Sequence, residues 1–156
     1  MLLKEQGLIS TERNSSGLID LIGFLDEDAK DNPRYICFDM ECIYSRSDYA
    51  NILAGFREAC SDRNAFEIVS MDLDPQTKMA DMQLIVNGLD IRCAWNQNED
   101  WVSEEFFATL DNVNEALRGR FVSVTIDQYY RAIYIENIDI ANSVSELYCE
   151  LRDNLM

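Results

Sequence analysis

The chain has 156 residues, 47% of them hydrophobic and 10% aromatic, which suits one domain with a single core and argues against a disordered chain. It carries 29 acidic and 13 basic residues and no histidine, a formal charge of −16 at pH 7. A charge of this sign and size repels nucleic acid and anionic membranes and favours a basic partner. The same balance also fits a merely soluble protein, or one from a salt-adapted source.

The absence of histidine excludes several chemistries within this chain. Ser-His-Asp and Cys-His nucleophile pairs, zinc sites with histidine ligands and histidine general bases all require a residue that is missing. No Cys-x-x-Cys pair is present, and no glycine-rich loop precedes a lysine. We therefore expect no enzyme activity, no cofactor and no bound metal.

The cysteines and the hydropathy pattern indicate the compartment. Five scattered cysteines, an odd number, suggest reduced thiols, four of them in the core. The first ten residues are interrupted by charges, and no stretch approaches the roughly 18 apolar residues that span a bilayer. A cytoplasmic protein is expected. The cysteines are Cys37, Cys42, Cys60, Cys93 and Cys149.

The first third of the chain predicts two helices with a short strand between them. Apolar residues recur at helical spacing in both helices, and the proline at position 33 ends the first. The predicted elements are a loose arm over 1–14, a helix capped by Ser15 or Ser16 and ending near Lys30, a strand over 35–40, and a helix capped by Ser47 and ending near Cys60.

The remainder predicts five strands and two helices. A turn at Asp74-Pro75 and a hairpin at Asn87-Gly88 join three strands, because asparagine and glycine accept the positive φ of a type I′ turn. Ser103 caps the next helix, and Gly119 is predicted to end it. The predicted strands cover 66–71, 79–86, 89–95, 121–126 and 130–136, and the helices cover 103–119 and 140–151.

This order of elements predicts the fold class. Hairpin-joined strands form antiparallel pairs, and amphipathic helices cover a sheet on one face or at one end. We expect a single α+β domain over 1–156, with a largely antiparallel sheet of about five strands and about four helices packed on it. The oligomeric state stays open.

Acidic residues are concentrated in the middle of the chain. Residues 64–117 hold eleven acidic residues against only Lys78 and Arg92, a balance of −9, whereas residues 46–63 are neutral. Glu104, Asp111 and Glu115 share one helix face. A helix face that only needed to be solvated could carry lysine at some of these positions. The uniformly acidic face therefore favours a role in binding a basic partner.

Two tryptophans flank the polar loop 96–100, and aromatic residues beside charge are typical of interface hot spots. The alternative is that one or both tryptophans cap the core. Asp72 and Asp74 follow a strand. Besides partner binding, they could form a solvated turn or a divalent-cation site. The predicted partner-binding residues are Asp72, Asp74, Trp95, Glu99, Asp100, Trp101, Glu104, Glu105, Asp111 and Glu115.

In size, charge and layout the whole chain resembles bacterial immunity proteins, including those of contact-dependent inhibition systems, which block a cognate toxin domain. It also resembles phage-encoded nucleic-acid mimics that inhibit defence enzymes. We prefer the first resemblance, because a mimic would spread its carboxylates more evenly than this chain does. It implies an inhibitor that occludes a basic, nuclease-type toxin domain. The further alternatives are an Asp/Glu- and metal-dependent enzyme and a subunit or adaptor of a larger complex.

Overall fold

A computed structural model describes residues 31–97 and 99–153 of the chain. The arm predicted over 1–14 and the first predicted helix lie outside the described residues. The elements, in chain order, are β1 (Tyr35–Asp39), α1 (Arg46–Ala59), a 3₁₀ turn (Arg63–Ala65), β2 (Phe66–Leu73), β3 (Met79–Val86), β4 (Leu89–Asn96), α2 (Glu104–Ala116), β5 (Arg120–Ile126), β6 (Tyr129–Ile135) and α3 (Ile138–Asp153).

The protein is an α+β fold, but its strands form two sheets rather than one. The sheet that we call the first has the order β2-β3-β4, and the second has the order β1-β6-β5. Every pairing in both sheets is antiparallel. The prediction of one sheet of about five strands was therefore wrong. Short hairpins fix the local pairs, whereas β1 pairs with β6 almost a hundred positions later (Tyr35 opposite Ile133). No local pattern in the sequence encodes such a pairing.

Helices α1 and α2 lie between the two sheets. Helix α1 packs on β2 and β1, and α2 packs on β4 and β5. Phe56 of α1 stacks edge-on against Phe121 of β5 at 4.9 Å between ring centroids. Helix α3 packs on β5 and β6. The neighbours of Phe121 along β5, Val122 and Val124, are buried as well. Because alternate side chains point to opposite faces, both faces of this sheet are covered.

The turns of the first sheet follow the predicted chemistry. Asn87 and Gly88 have φ values of 48° and 82°, as a type I′ turn requires. In the β2–β3 turn the Asp74 carboxylate accepts hydrogen bonds from the backbone N–H groups of Gln76 (2.7 Å) and Thr77 (3.0 Å). These two bonds, that of Thr77 first, lower the pKa of Asp74, so the carboxylate stays ionised in the turn.

The start of α1 differs slightly from the prediction. Ser45, rather than Ser47, is the N-cap, and the Asp48 carboxylate accepts hydrogen bonds from the Ser45 N–H (2.8 Å) and Oγ (2.9 Å). Helix α2 begins as predicted, since Ser103 Oγ accepts a hydrogen bond from the Phe106 N–H at 3.0 Å.

Gly119 does not end α2. The helix ends at Ala116, with Leu117 as its C-cap in extended conformation. A Cβ at Gly119 would collide with the carbonyl oxygen of Ile135 and would lie 2.8 Å from the Cα of Glu136. The glycine is required by this close approach to the end of β6 and not by helix termination.

Replacing Gly119 with alanine is expected to lower the free energy of unfolding by roughly 1–3 kcal/mol, because backbone atoms must shift to admit the new methyl group. The measurement is urea unfolding of the purified variant. Gly55→Ala in α1 is the matched control, since its Cβ would lie 3.9 Å from Ile36 Cγ2, an ordinary contact. That change is expected to stabilise by up to about 1 kcal/mol. Equal effects of the two substitutions would contradict the close approach at Gly119.

Candidate functional site

Three segments distant in sequence meet at one end of the molecule. The backbone N–H of Ile43, just before α1, donates to the carbonyl of Asp100 at 2.8 Å. The N–H of Val102 donates to the carbonyl of Met40 at 2.8 Å, and the N–H of Gln97 donates to the carbonyl of Lys78 at 2.8 Å. The segment before α1, the β2–β3 turn and the β4–α2 loop therefore form one continuous surface.

We call this region the loop surface and define it by Tyr44, Lys78, Glu99, Asp100 and Trp101. Tyr44 is 65% exposed and Trp101 41% exposed, and both acidic residues are also exposed. The Tyr44 hydroxyl donates to Asp100 Oδ2 at 3.3 Å. Contact with Cys42, and then the charge of Asp100, raise the pKa of Tyr44 to about 12, so the hydroxyl keeps its proton at neutral pH.

Gln97 holds the β4–α2 loop from beneath. Its side chain is buried (5% exposed), and its Oε1 accepts hydrogen bonds from the Tyr49 hydroxyl (2.7 Å) and the Trp95 indole N–H (3.2 Å). Its Nε2 donates to the carbonyls of Glu99 (2.7 Å) and Trp101 (2.6 Å). All four bonding positions of the amide are thus filled, and two of them bind the loop backbone directly.

The same network reaches the start of α2. The Tyr49 hydroxyl also accepts a hydrogen bond from the Ser103 N–H at 3.1 Å. Burial is the main cause that raises the pKa of Tyr49, so the hydroxyl remains a donor to Gln97 at neutral pH. One buried tyrosine and one buried glutamine therefore orient both the loop and the helix that follows it.

Trp95 does not belong to the surface. It is 3% exposed, and its ring packs against Tyr49 at 5.1 Å and Phe106 at 5.9 Å between centroids. Trp95 is therefore a core residue, the alternative given above, and it is not placed to contact a partner. Its position on β4 opposite Ala80 turns the ring inward. Trp101, six residues later in an irregular segment, remains exposed.

The other predicted residues do not form one patch. Glu104 and Glu105 are exposed in the first turn of α2, directly after the loop surface. Asp111 and Glu115 are exposed on the same helix, and Glu115 lies about 16 Å along the axis from Glu104. Its neighbour Ala116 accepts a hydrogen bond from Asn87 at the opposite hairpin, 2.7 Å away. These two acids therefore lie toward the far end of the molecule.

Asp72 lies near the loop surface but on the outward face of the first sheet. It is exposed and stands directly opposite Asp81 of β3, a pairing that places two like charges side by side. Asp74 stands in the turn that carries Lys78. Sequence reasoning missed Asp81, Tyr44 and Gln97. Their roles depend on strand register and on contacts between distant segments.

Four described arginines form ion pairs away from the loop surface. Arg92 pairs with Asp90 at 2.9 Å, and Arg34 pairs with Glu136 at 3.1 Å. Between residues 31–97 and 99–153, no ion pair engages Glu99, Asp100 or Glu104. Within the described residues, these carboxylates form no direct ion pair, although Lys78 lines the same surface.

The cysteines differ from the prediction of a mostly buried set. Cys60 is buried and Cys93 is partly buried, whereas Cys37 and Cys42 are exposed. All four are free thiols. In the described residues, no group of three or more acidic or cysteine side chains is arranged to hold a metal ion.

Searches of protein-family models, of curated proteins and of solved structures found no match to this chain. None of the described helices combines the length and the apolar character needed to cross a membrane.

Replacing Gln97 with leucine is expected to lower the free energy of unfolding by at least about 2 kcal/mol, because buried donors and carbonyls lose their partners. Urea unfolding measures this. The control is Asn96→Ala, which alters an exposed neighbouring side chain and is expected to change stability by less than about 0.5 kcal/mol. Similar effects of the two changes would show that the amide network contributes little.

Alkylation at pH 8 is expected to modify Cys37 and Cys42 and to spare Cys60 in the folded protein. Burial, with a smaller effect of Asp62, raises the pKa of Cys60 to about 12, and the reactive species is the thiolate. Iodoacetamide labelling followed by peptide mass spectrometry measures this, with a urea-unfolded sample as the reference. Labelling of native Cys60 as fast as Cys42 would contradict the burial.

Proposed function

We propose that this protein is a non-catalytic inhibitor of the immunity type, which binds a cognate toxin domain with a basic surface and occludes it. The observation that supports the proposal most strongly is the loop surface. There, exposed carboxylates and exposed aromatic rings lie side by side on a backbone that the buried Gln97 network holds.

The composition of this surface is suited to specific protein binding. Trp101 and Tyr44 offer large apolar area on side chains with few rotatable bonds, and such residues contribute much of the binding energy at interfaces. Glu99 and Asp100 add charge that accelerates encounter with a basic partner and selects its orientation. Because Gln97 binds the carbonyls of Glu99 and Trp101, less conformational entropy would be lost at these residues on binding.

The proposed mechanism is occlusion. A nuclease-type toxin uses lysine and arginine side chains to hold the phosphates of its substrate. The carboxylates of the loop surface, with Glu104 and Glu105 beside them, would pair with those side chains and exclude the nucleic acid. No reaction by the inhibitor is needed, which accords with the absence of histidine.

The nucleic-acid mimic is the second candidate, and one observation favours it. Asp72 and Asp81 stand side by side on the outward face of the first sheet, a mildly unfavourable arrangement that a surface shaped only for solubility does not need. Inhibition of a nucleic-acid-binding enzyme without any toxic neighbour gene would favour this candidate over immunity.

The proposed function is tested by co-expressing this protein with the C-terminal domain of the protein that the gene immediately upstream encodes. We expect that domain to arrest growth alone, and this protein to restore growth and co-purify with it. A neighbour that is not toxic, or toxicity that this protein does not relieve, would overturn the immunity proposal.

Charge reversal tests the placement of the interface. The double variant Glu99→Lys/Asp100→Lys keeps the backbone bonds to Gln97 and is expected to weaken toxin binding by at least about tenfold. Asp111→Lys/Glu115→Lys makes the same charge change at the far end of the molecule and serves as the control. Calorimetric titration at two salt concentrations measures both. Equal losses would mean that net charge alone acts and that the interface lies elsewhere.

A further inference from the structure

The loop surface contains a notch of about 330 Å³ between the segment before α1, the β2–β3 turn and the β4–α2 loop. Its apolar lining comes from Ile43 and Leu73, which are 4% and 7% exposed. Tyr44 forms an aromatic wall, and Glu99 and Asp100 supply carboxylates. The notch thus combines an apolar lining, an aromatic ring and two carboxylates, with Lys78 also in its lining.

We propose that this notch binds an arginine side chain of the partner. The inference rests on the proposed function and names the chemical group that the loop surface recognises. A guanidinium is planar, pairs with a carboxylate through two parallel N–H donors, and stacks on an aromatic ring. Its aliphatic stem would lie along Leu73 and Ile43 while its head reaches Asp100.

Several features favour arginine over lysine. The Tyr44 hydroxyl already donates to Asp100 Oδ2 at 3.3 Å, which leaves Oδ1 and one lone pair of Oδ2 to accept an incoming donor pair. The exposed Tyr44 ring offers a face to a weakly hydrated cation, whereas a lysine ammonium is a compact, strongly hydrated charge. Arginine can therefore bind at this exposed notch without a deep, desolvated pocket.

Lys78 gives the proposal a test with a definite sign. It lines the notch beside the two carboxylates, so its ammonium repels an incoming guanidinium. Removing that charge is expected to strengthen arginine binding, because the local repulsion is lost and because the protein becomes more negative overall. Removing the Asp100 charge is expected to have the opposite effect.

The experiment is an NMR titration of the ¹⁵N-labelled full-length chain with N-acetyl-arginine amide, and separately with N-acetyl-lysine amide. The chain has two tryptophans, so two indole signals report on the exposed Trp101 and the buried Trp95. We expect saturable shifts at residues 99–101 and at the Trp101 indole, little change at Trp95, and about threefold tighter binding of the arginine probe.

Three variants complete the design. Asp100→Asn is expected to weaken arginine binding several-fold, Lys78→Gln to strengthen it, and Asp111→Asn at the far end to leave it unchanged. Equal affinities for the two probes, or shifts spread over all acidic regions without saturation, would overturn the proposal. The titration uses no toxin, so its failure and the failure of growth rescue are separate outcomes.

Discussion

The four hydrogen bonds of the Gln97 amide are the interaction on which the candidate site depends. They join helix α1 through Tyr49, strand β4 through Trp95, and the following loop through two carbonyls. A buried amide with all its positions filled stabilises one loop conformation, because any alternative leaves polar atoms without partners in a low-dielectric interior. The network therefore fixes the backbone at Glu99 and Trp101, which carry side chains of the loop surface.

The two tryptophans of the chain, Trp95 and Trp101, have different roles in this arrangement. Trp95 packs in the core against Tyr49 and Phe106, and its indole N–H contributes to the network. Trp101 stands on the surface that the network supports. The Gln97 side chain thus connects the core to the backbone of the proposed interface. We therefore expect a substitution in the network to alter the conformation of the loop surface.

The distribution of charge is best understood together with this geometry. Arg92 and Arg34 form their ion pairs away from the loop surface, and Lys78 is the basic residue that lines the notch with Glu99 and Asp100. Asp72 and Asp81 lie opposite each other on the sheet, where like charges are mildly unfavourable. Under the proposed function, these carboxylates would attract a basic partner.

The sequence by itself determined the α+β class, most of the strands and helices between residues 35 and 153, and the acidic face of α2, because these follow from local periodicity and turn chemistry. The division into two sheets was decided by the tertiary structure, since β1 finds β6 across almost the whole described chain. Tertiary packing also buried Trp95 and Gln97 and brought Tyr44 to Asp100, 56 residues away. Such contacts depend on register and on how distant segments pack, which no local pattern of residue types encodes.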